Sequence, residues 1–300
     1  MNFLDLFCGC GGTSEGFRQA GFVPKCAVDI NEDAINTYKK NFEGTEAIVG
    51  NIRNEETQNY LINKYKNIPL LIGCPPCQAF SKRNLNSKHD DVKNELPIVF
   101  SKFALNLNPD VIFMEEVPQC QRILPDIKSI LQDKYIIKHK VIYASNHNVP
   151  QKRKRFILIA HKNHIEFQFP HDKAEISVDI ALNMSPRCSI GPLVSEKTKI
   201  KIQDLELSKK RLIGGNYAIM DTSKPSPTIH TQTHSCTGPY TIKRGINYHT
   251  LSLEETARIQ SFPHTFLFTG SVVSKRRQIG NAVPPKLAQD IAEQITWIQT

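Results

Sequence analysis

Residues 2–17 read NFLDLFCGCGGTSEGF, and this stretch decides the fold. The run NFLDLF is short and mostly apolar, as a buried strand should be. Gly9, Gly11 and Gly12 then let the backbone turn sharply and come close to a ligand, and a helix is expected from near Thr13 or Ser14. Ser14 stands where the dinucleotide fingerprint has its third glycine, so a nicotinamide cofactor is disfavoured. Taken alone, the turn is equally compatible with a tight turn that binds nothing.

Outward from that turn the same alternation continues. The apolar runs KCAVDI, AIVGNI, PLLIGC, DVIFME, YIIKHKVIYA and RFILIA are separated by helix-like stretches such as NEDAINTYKKNF, residues 54–66 and NELPIVFSKFALNL. Strands alternating with helices predict an α/β fold, a mostly parallel Rossmann-like sheet covered on both faces, with its site at the carboxyl ends of the strands. Asp29, ending the second strand, is placed there to accept hydrogen bonds from ribose hydroxyls. From about Ser185 to Tyr248 the alternation stops, and Lys, Pro, Ser, Thr and His accumulate, which predicts a smaller, irregular second domain. Near the end, Leu253–Ser261 reads as helical. Lys286–Ile298 reads as a docking helix with Leu287, Ile291, Ile295 and Ile298 on one face.

The chain has 300 residues, 40% of them hydrophobic, enough for a large core. Its formal charge of +9 favours a polyanionic partner, nucleic acid or an anionic surface. The start carries Asp5 and no basic region ahead of a long apolar run, so no secretory signal is expected, and no stretch is long enough to cross a bilayer. Eight irregularly spaced cysteines then suit reduced thiols and an intracellular protein.

Three further stretches carry chemistry. In GCPPCQAFS, residues 73–81, two prolines stiffen the backbone before Cys77, a mount that suits a nucleophile; a buried inert thiol is the plainer alternative. Cys74 and Cys77 also have the spacing of a redox or zinc pair, but a second ligand pair is missing unless Cys8 and Cys10 leave the glycine turn. DVIFMEEVP, residues 110–118, ends a strand with Glu115 and Glu116, either solvated or set to hydrogen-bond a substrate ring. QKRKR, residues 151–155, puts Arg153 and Arg155 on one side of an extended chain, where they hold a phosphate or base edge or merely face solvent.

In order, DLFCGCGG, VDIN, PPCQAFS, MEEV, QKRKR, LEETARIQSFP and QIGNAVPP resemble the motif set of the DNA cytosine-5 methyltransferases, spanning residues 5–285. The resemblance implies a catalytic domain of residues 1–184 with 278–300 and a target-recognition domain of 185–277. It implies S-adenosylmethionine as methyl donor and no metal, with Phe7, Gly9 and Gly11 as its cradle. Asp29 would lie at the ribose, Asn51 and Ile52 at the adenine, Asn281 and Val283 would complete the pocket, and Ile30 and Pro76 would be further contacts of the cofactor. Cys77 matches the nucleophile, Glu115 the glutamate at the target cytosine, and Arg153 and Arg155 the arginines beside it. The implied partner is double-stranded DNA, with Gln78, Ser81, Gln151, Thr228, Thr231 and Gln232 as candidate contacts. A monomer working alongside a restriction endonuclease, in the cytoplasm or nucleoid of a bacterium, is the matching expectation.

Position 51 is Asn where the family commonly has Asp, which makes the adenine contact weaker or differently oriented. Position 116 is Glu where the motif usually has Asn. The implied reaction is attack of Cys77 on C6 of an extruded cytosine, followed by methylation at C5. Residues 82–95 are polar enough for a loop that closes over DNA. Two rivals stay open: the same chemistry on tRNA, to which Lys209, Lys210, Arg211, Lys243 and Arg244 would bind equally well, and a DNA-binding relic without activity.

Overall fold

The computed structural model describes residues 1–76, 96–183, 189–197, 199–200, 202, 218–229 and 240–298. Cys77, Gln78, Ser81, the segment 82–95, Lys209, Lys210, Arg211, Thr231 and Gln232 lie outside the described residues. In chain order the elements are β1 (Asn2–Leu6), α1 (Gly12–Gln19), β2 (Val23–Asp29), α2 (Glu32–Asn41), β3 (Glu46–Val49), α3 (Glu55–Tyr65) and β4 (Leu70–Gly73). Next come α4 (Leu96–Leu107), β5 (Val111–Glu116), α5 (Leu124–Leu131), β6 (Ile136–Tyr143), β7 (Gln151–Lys152), β8 (Lys154–His161), β9 (Ile165–Phe167) and α6 (Val178–Asn183). The chain ends with β10 (Ala218–Ile219), β11 (Ser226–Pro227), β12 (Tyr240–Arg244), β13 (Asn247–Thr250), α7 (Leu253–Ile259), α8 (Val272–Asn281), α9 (Pro285–Ala292) and β14 (Ile295–Trp297).

Seven strands form one sheet in the order β3-β2-β1-β4-β5-β8-β6, parallel except for β8, which runs against both neighbours. The mostly parallel α/β sheet is thus as the apolar runs predict. Strand order reverses between β1 and β4, and the crevice at such a switch point is where ligands bind on open α/β sheets. Each face carries its own core. Phe100, Phe103, Ile127 and Leu131 from α4 and α5 cover one, while Phe17, Leu287 and Ile291 from α1 and α9 cover the other. Gly16 makes the second packing possible, since a Cβ there would stand 2.3 Å from the Pro285 carbonyl oxygen.

The C-terminal helix is shorter than the sequence pattern predicts. It stops at Ala292, and Ile295–Trp297 instead form β14, antiparallel to β9 with Ile295 opposite Phe167. Leu287 and Ile291 are buried from the helix and Ile295 from the strand, whereas Ile298 is exposed. The β-branched and aromatic residues of Ile-Thr-Trp favour pairing over another helical turn.

The smaller region is irregular, as its composition suggests. Its described strands β10, β12 and β13 make a three-stranded sheet, and β11 pairs with β7 of the large region. Val178, Met220, Ile229, Ile242, Leu251 and Ile259 form a small core of their own beneath it.

Candidate active site

The glycine turn begins in strained backbone. Phe7 has φ 57°, Gly9 53° and Gly11 97°, and a non-glycine residue in the left-handed region is a mark of functional sites. Pairing outlasts β1 on both sides: Cys8 N–H donates to the Val28 carbonyl and Cys74 N–H to that of Leu6. Gly11 is required by packing, because a Cβ there would lie 2.4 Å from the Phe42 ring, and Gly12 because one would lie 2.4 Å from the Val283 carbonyl oxygen. Gly9 differs: nothing lies within 4 Å of the position its Cβ would take. The turn faces open space there.

Asp29 closes this turn from the next strand. One carboxylate oxygen accepts the Gly9 N–H and the other the Asn31 N–H, both at 2.8 Å. Burial raises its pKa against those hydrogen bonds. Beside it Ile30 is 71% exposed, an apolar surface at the edge of the open space. The Asn51 Oδ1 accepts the Arg53 N–H at 3.0 Å, the bond an aspartate would also make, and its NH2 group remains as an exposed donor. Ile52 is packed in the core, as is Val283; Asn281 is exposed at the end of α8 and Pro76 is exposed after a buried Pro75.

Beneath the turn lies a network that sequence reading missed. Ser14 Oγ donates to Asp5 Oδ2 at 2.6 Å and lies 2.8 Å from the Tyr38 hydroxyl, all three residues being buried. Asp5 is pushed up to about 7, first by burial, against the Ser14 hydrogen bond and with the Asp29 charge adding to it.

At the carboxyl end of β5 the groups are charged. Arg155 Nε sits 2.6 Å from Glu115 Oε1, and both side chains are largely buried. Arg153 is buried and donates from Nη1 to the Gly280 carbonyl at 3.1 Å. Burial and then repulsion from Arg155 bring its pKa down to about 9, with Glu115 acting the other way. A one-residue interruption of strand pairing at Arg153, between β7 and β8, replaces the continuous strand start expected of QKRKR, yet all three charges still interact. Glu116, in the asparagine position, is buried and ties down local backbone by accepting the Val117 N–H at 3.0 Å.

Cys74, at the end of β4, lies between the two halves. Its thiol is 3.3 Å from Thr13 Oγ1, and burial, then Glu115 and Asp5, push its pKa far up. Gly73 before it admits Phe100, whose ring would be 2.2 Å from a Cβ. Gln151, a candidate DNA contact, is instead fully buried with its amide engaged by Gln260 and Ile229. Thr228 is half-buried and donates to the Lys152 carbonyl at 2.9 Å.

Residues 1–297 match the family of C-5 cytosine-specific DNA methylases. The chain belongs to that family. It is an S-adenosylmethionine-dependent C-5 cytosine DNA methyltransferase. The methylase is 32% identical over 309 residues to the type II methyltransferase M.HindV of Haemophilus influenzae, covering 98% of this chain and 96% of the relative. It is 29% identical to M1.HphI of Haemophilus parahaemolyticus, covering 100% and 88%. Its fold matches a solved structure of a Spodoptera frugiperda DNMT2 mutant with TM-score 0.73 at 21% identity, covering 96% and 97% of the two chains. Among the described residues of the methylase, no helix is long and apolar enough to cross a membrane.

Proposed function

We propose that the methylase modifies C5 of a cytosine extruded from a specific duplex DNA sequence, with Cys77 as nucleophile and as the modification partner of a restriction endonuclease. The observation that carries this reading is the convergence of Glu115, Arg155 and Arg153 at the end of β5, next to the strand that leads through Cys74-Pro75-Pro76 to Cys77. The relatives named as type II methyltransferases support the pairing with an endonuclease. Residues 1–184 with 278–300 would form the catalytic domain and residues 185–277 the target-recognition domain.

The pocket chemistry fits the family's methyl donor. Gly9 leaves open space at the turn, Asp29 offers carboxylate lone pairs beyond the two N–H groups it accepts, Ile30 gives an apolar face and Asn51 a free amide donor. S-adenosylmethionine, when bound there, supplies an electrophilic methyl group. Cytosine C5 is a weak nucleophile inside its aromatic ring. Addition of the Cys77 thiolate to C6 forms an S–C bond and shifts the C5–C6 π electrons toward C5. Glu115 accepts from the N4 amino group and, when protonated, donates to N3, drawing charge away from the ring as C6 is attacked. Once C5 carries the methyl group, loss of its proton to a base such as solvent water lets the C5–C6 double bond reform as the C6–S bond breaks and the Cys77 thiolate leaves. Arg155 holds the Glu115 carboxyl in place, and Arg153 stands behind both.

The test is transfer of a labelled methyl group to unmethylated duplex DNA, with Cys77→Ala and tRNA as parallel arms. Incorporation at cytosine C5 of DNA that disappears in the variant is expected. Incorporation into tRNA alone, or none into either, overturns the reading.

A further inference from the structure

The last carbonyls of any helix face no N–H of a following turn and must be satisfied from outside. At the end of α8 two side chains do this. Gln260 Nε2 donates to the carbonyls of Ile279 at 2.6 Å and Ala282 at 3.2 Å, and Arg153 takes that of Gly280 between them. Gln260 follows α7 directly and is 0% exposed, as is Gln151. Gln151 Nε2 donates to Gln260 Oε1 at 2.6 Å, and Gln151 Oε1 accepts the Ile229 N–H at 3.0 Å.

A primary amide has one donor end and one acceptor end. The Ile229 N–H at one end of this chain can only donate, and the carbonyls at the other end can only accept. Both glutamine amides are therefore locked in a single orientation, and the bonds run in one direction from the smaller region to the end of α8. On the way they pass the residue two positions before Arg153, and they finish on the carbonyls either side of Gly280 and Asn281.

We propose that Gln151 and Gln260 are positioning residues whose amide chain fixes the distance between the Arg153 and Arg155 arm and the turn at residues 279–283, and ties both to Ile229. The proposal deepens the function given above and rests on it, since that reading sets the target base at the arm and the methyl donor at the glycine turn, whose Gly12 packs against the Val283 carbonyl. Among the described residues, neither glutamine side chain hydrogen-bonds Glu115, Arg153 or Arg155. Their effect comes through registration of two partners, where an error of about 1 Å can cost on the order of 10²-fold in rate.

The experiment compares Gln151→Met, Gln260→Met and the double variant with the parent chain. Methionine keeps the length and volume and removes the polar ends. Five quantities are read: the melting temperature, hydrogen exchange at residues 279–283 and at Ile229, binding of S-adenosylhomocysteine, and kcat and KM for methyl transfer to duplex DNA. Each single variant should lose roughly 10- to 10²-fold in kcat, with little further loss in the double, because either change breaks the same chain. Gln260→Met should speed exchange at 279–283 and also at Ile229, which Gln260 itself does not touch. A purely structural role would lower the melting temperature and leave kcat per folded enzyme and exchange at Ile229 where they were. Single variants with kcat within about twofold of the parent, or losses that multiply in the double, overturn the proposal. If the parent itself methylates no DNA, the functional reading falls, and unchanged exchange at Ile229 in Gln260→Met still overturns the chain.

Discussion

The two halves of the site are built by different means. The glycine-turn half is shaped by backbone: Phe7, Gly9 and Gly11 adopt positive φ, and the carboxylate of Asp29 is occupied with holding N–H groups rather than cations. The strand-end half is shaped by side-chain charge, with Glu115 against Arg155 and a buried Arg153 behind them. A surface made of backbone is rigid and suits recognition of one invariant partner. A cluster of charges responds to what enters it, and suits a substrate whose charge distribution changes as it reacts.

If that division is right, a charge change should act on rate and a backbone change on binding or folding. The largest effect is expected for Glu115→Gln, which keeps the shape and removes the ion pair with Arg155. Methyl transfer should fall roughly 10²- to 10⁴-fold, with S-adenosylhomocysteine binding nearly unchanged. Equal losses in both quantities would show that the halves are not separable.

Asp5 sharpens the comparison because it is a titratable group under the backbone-built half. Its folded pKa of about 7 lies above the ordinary 3.8, so the folded state keeps a proton that the unfolded chain has already lost between those values. Its contribution to stability is therefore full below about pH 4 and declines as pH rises to 7. At about 1.4 kcal/mol per pH unit, the decline has an upper bound on the order of 4 kcal/mol. Asp5→Asn should remove this slope, so that its stability relative to the parent improves steadily from pH 4 to pH 7 in urea denaturation. A constant difference across that range would place the Asp5 proton elsewhere.

Much of this architecture is legible in the sequence because its cause is local. Apolar runs flanked by glycine or proline mark β1, β2, β4 and β5, and the carboxyl ends of those strands carry the residues of the site. What escapes sequence reading is set by partners far along the chain. Gln151 looks like part of a basic stretch until it is seen to meet Gln260, 109 residues later. Asp5 appears as one polar residue in an apolar run, and only burial with Ser14 and Tyr38 gives it a role. The apolar period of Leu287, Ile291 and Ile295 fits a helix, but Phe167 on β9 draws Ile295 into a strand. Periodicity reports which residues are buried, not which element buries them.

Gly9 and Gly11 divide the backbone-built half itself, and their alanine variants should separate folding from binding. Both have positive φ, so each alanine incurs the left-handed cost of about 1–2 kcal/mol. Gly11→Ala must also displace the Phe42 ring, which stands 2.4 Å from the new Cβ and is packed with Tyr38 and Phe266. Overpacking of this kind adds about 1–3 kcal/mol, so the variant should melt well below the parent. Gly9→Ala meets no protein atom within 4 Å and should melt only slightly lower. Its methyl group instead enters the space assigned to the methyl donor, and S-adenosylhomocysteine should bind about tenfold more weakly, a change of ~1.4 kcal/mol. Full binding by a folded Gly9→Ala protein would show that the open side of the turn is not where the ligand sits, and the cradle would then have to be sought along Ile30 and Asn51.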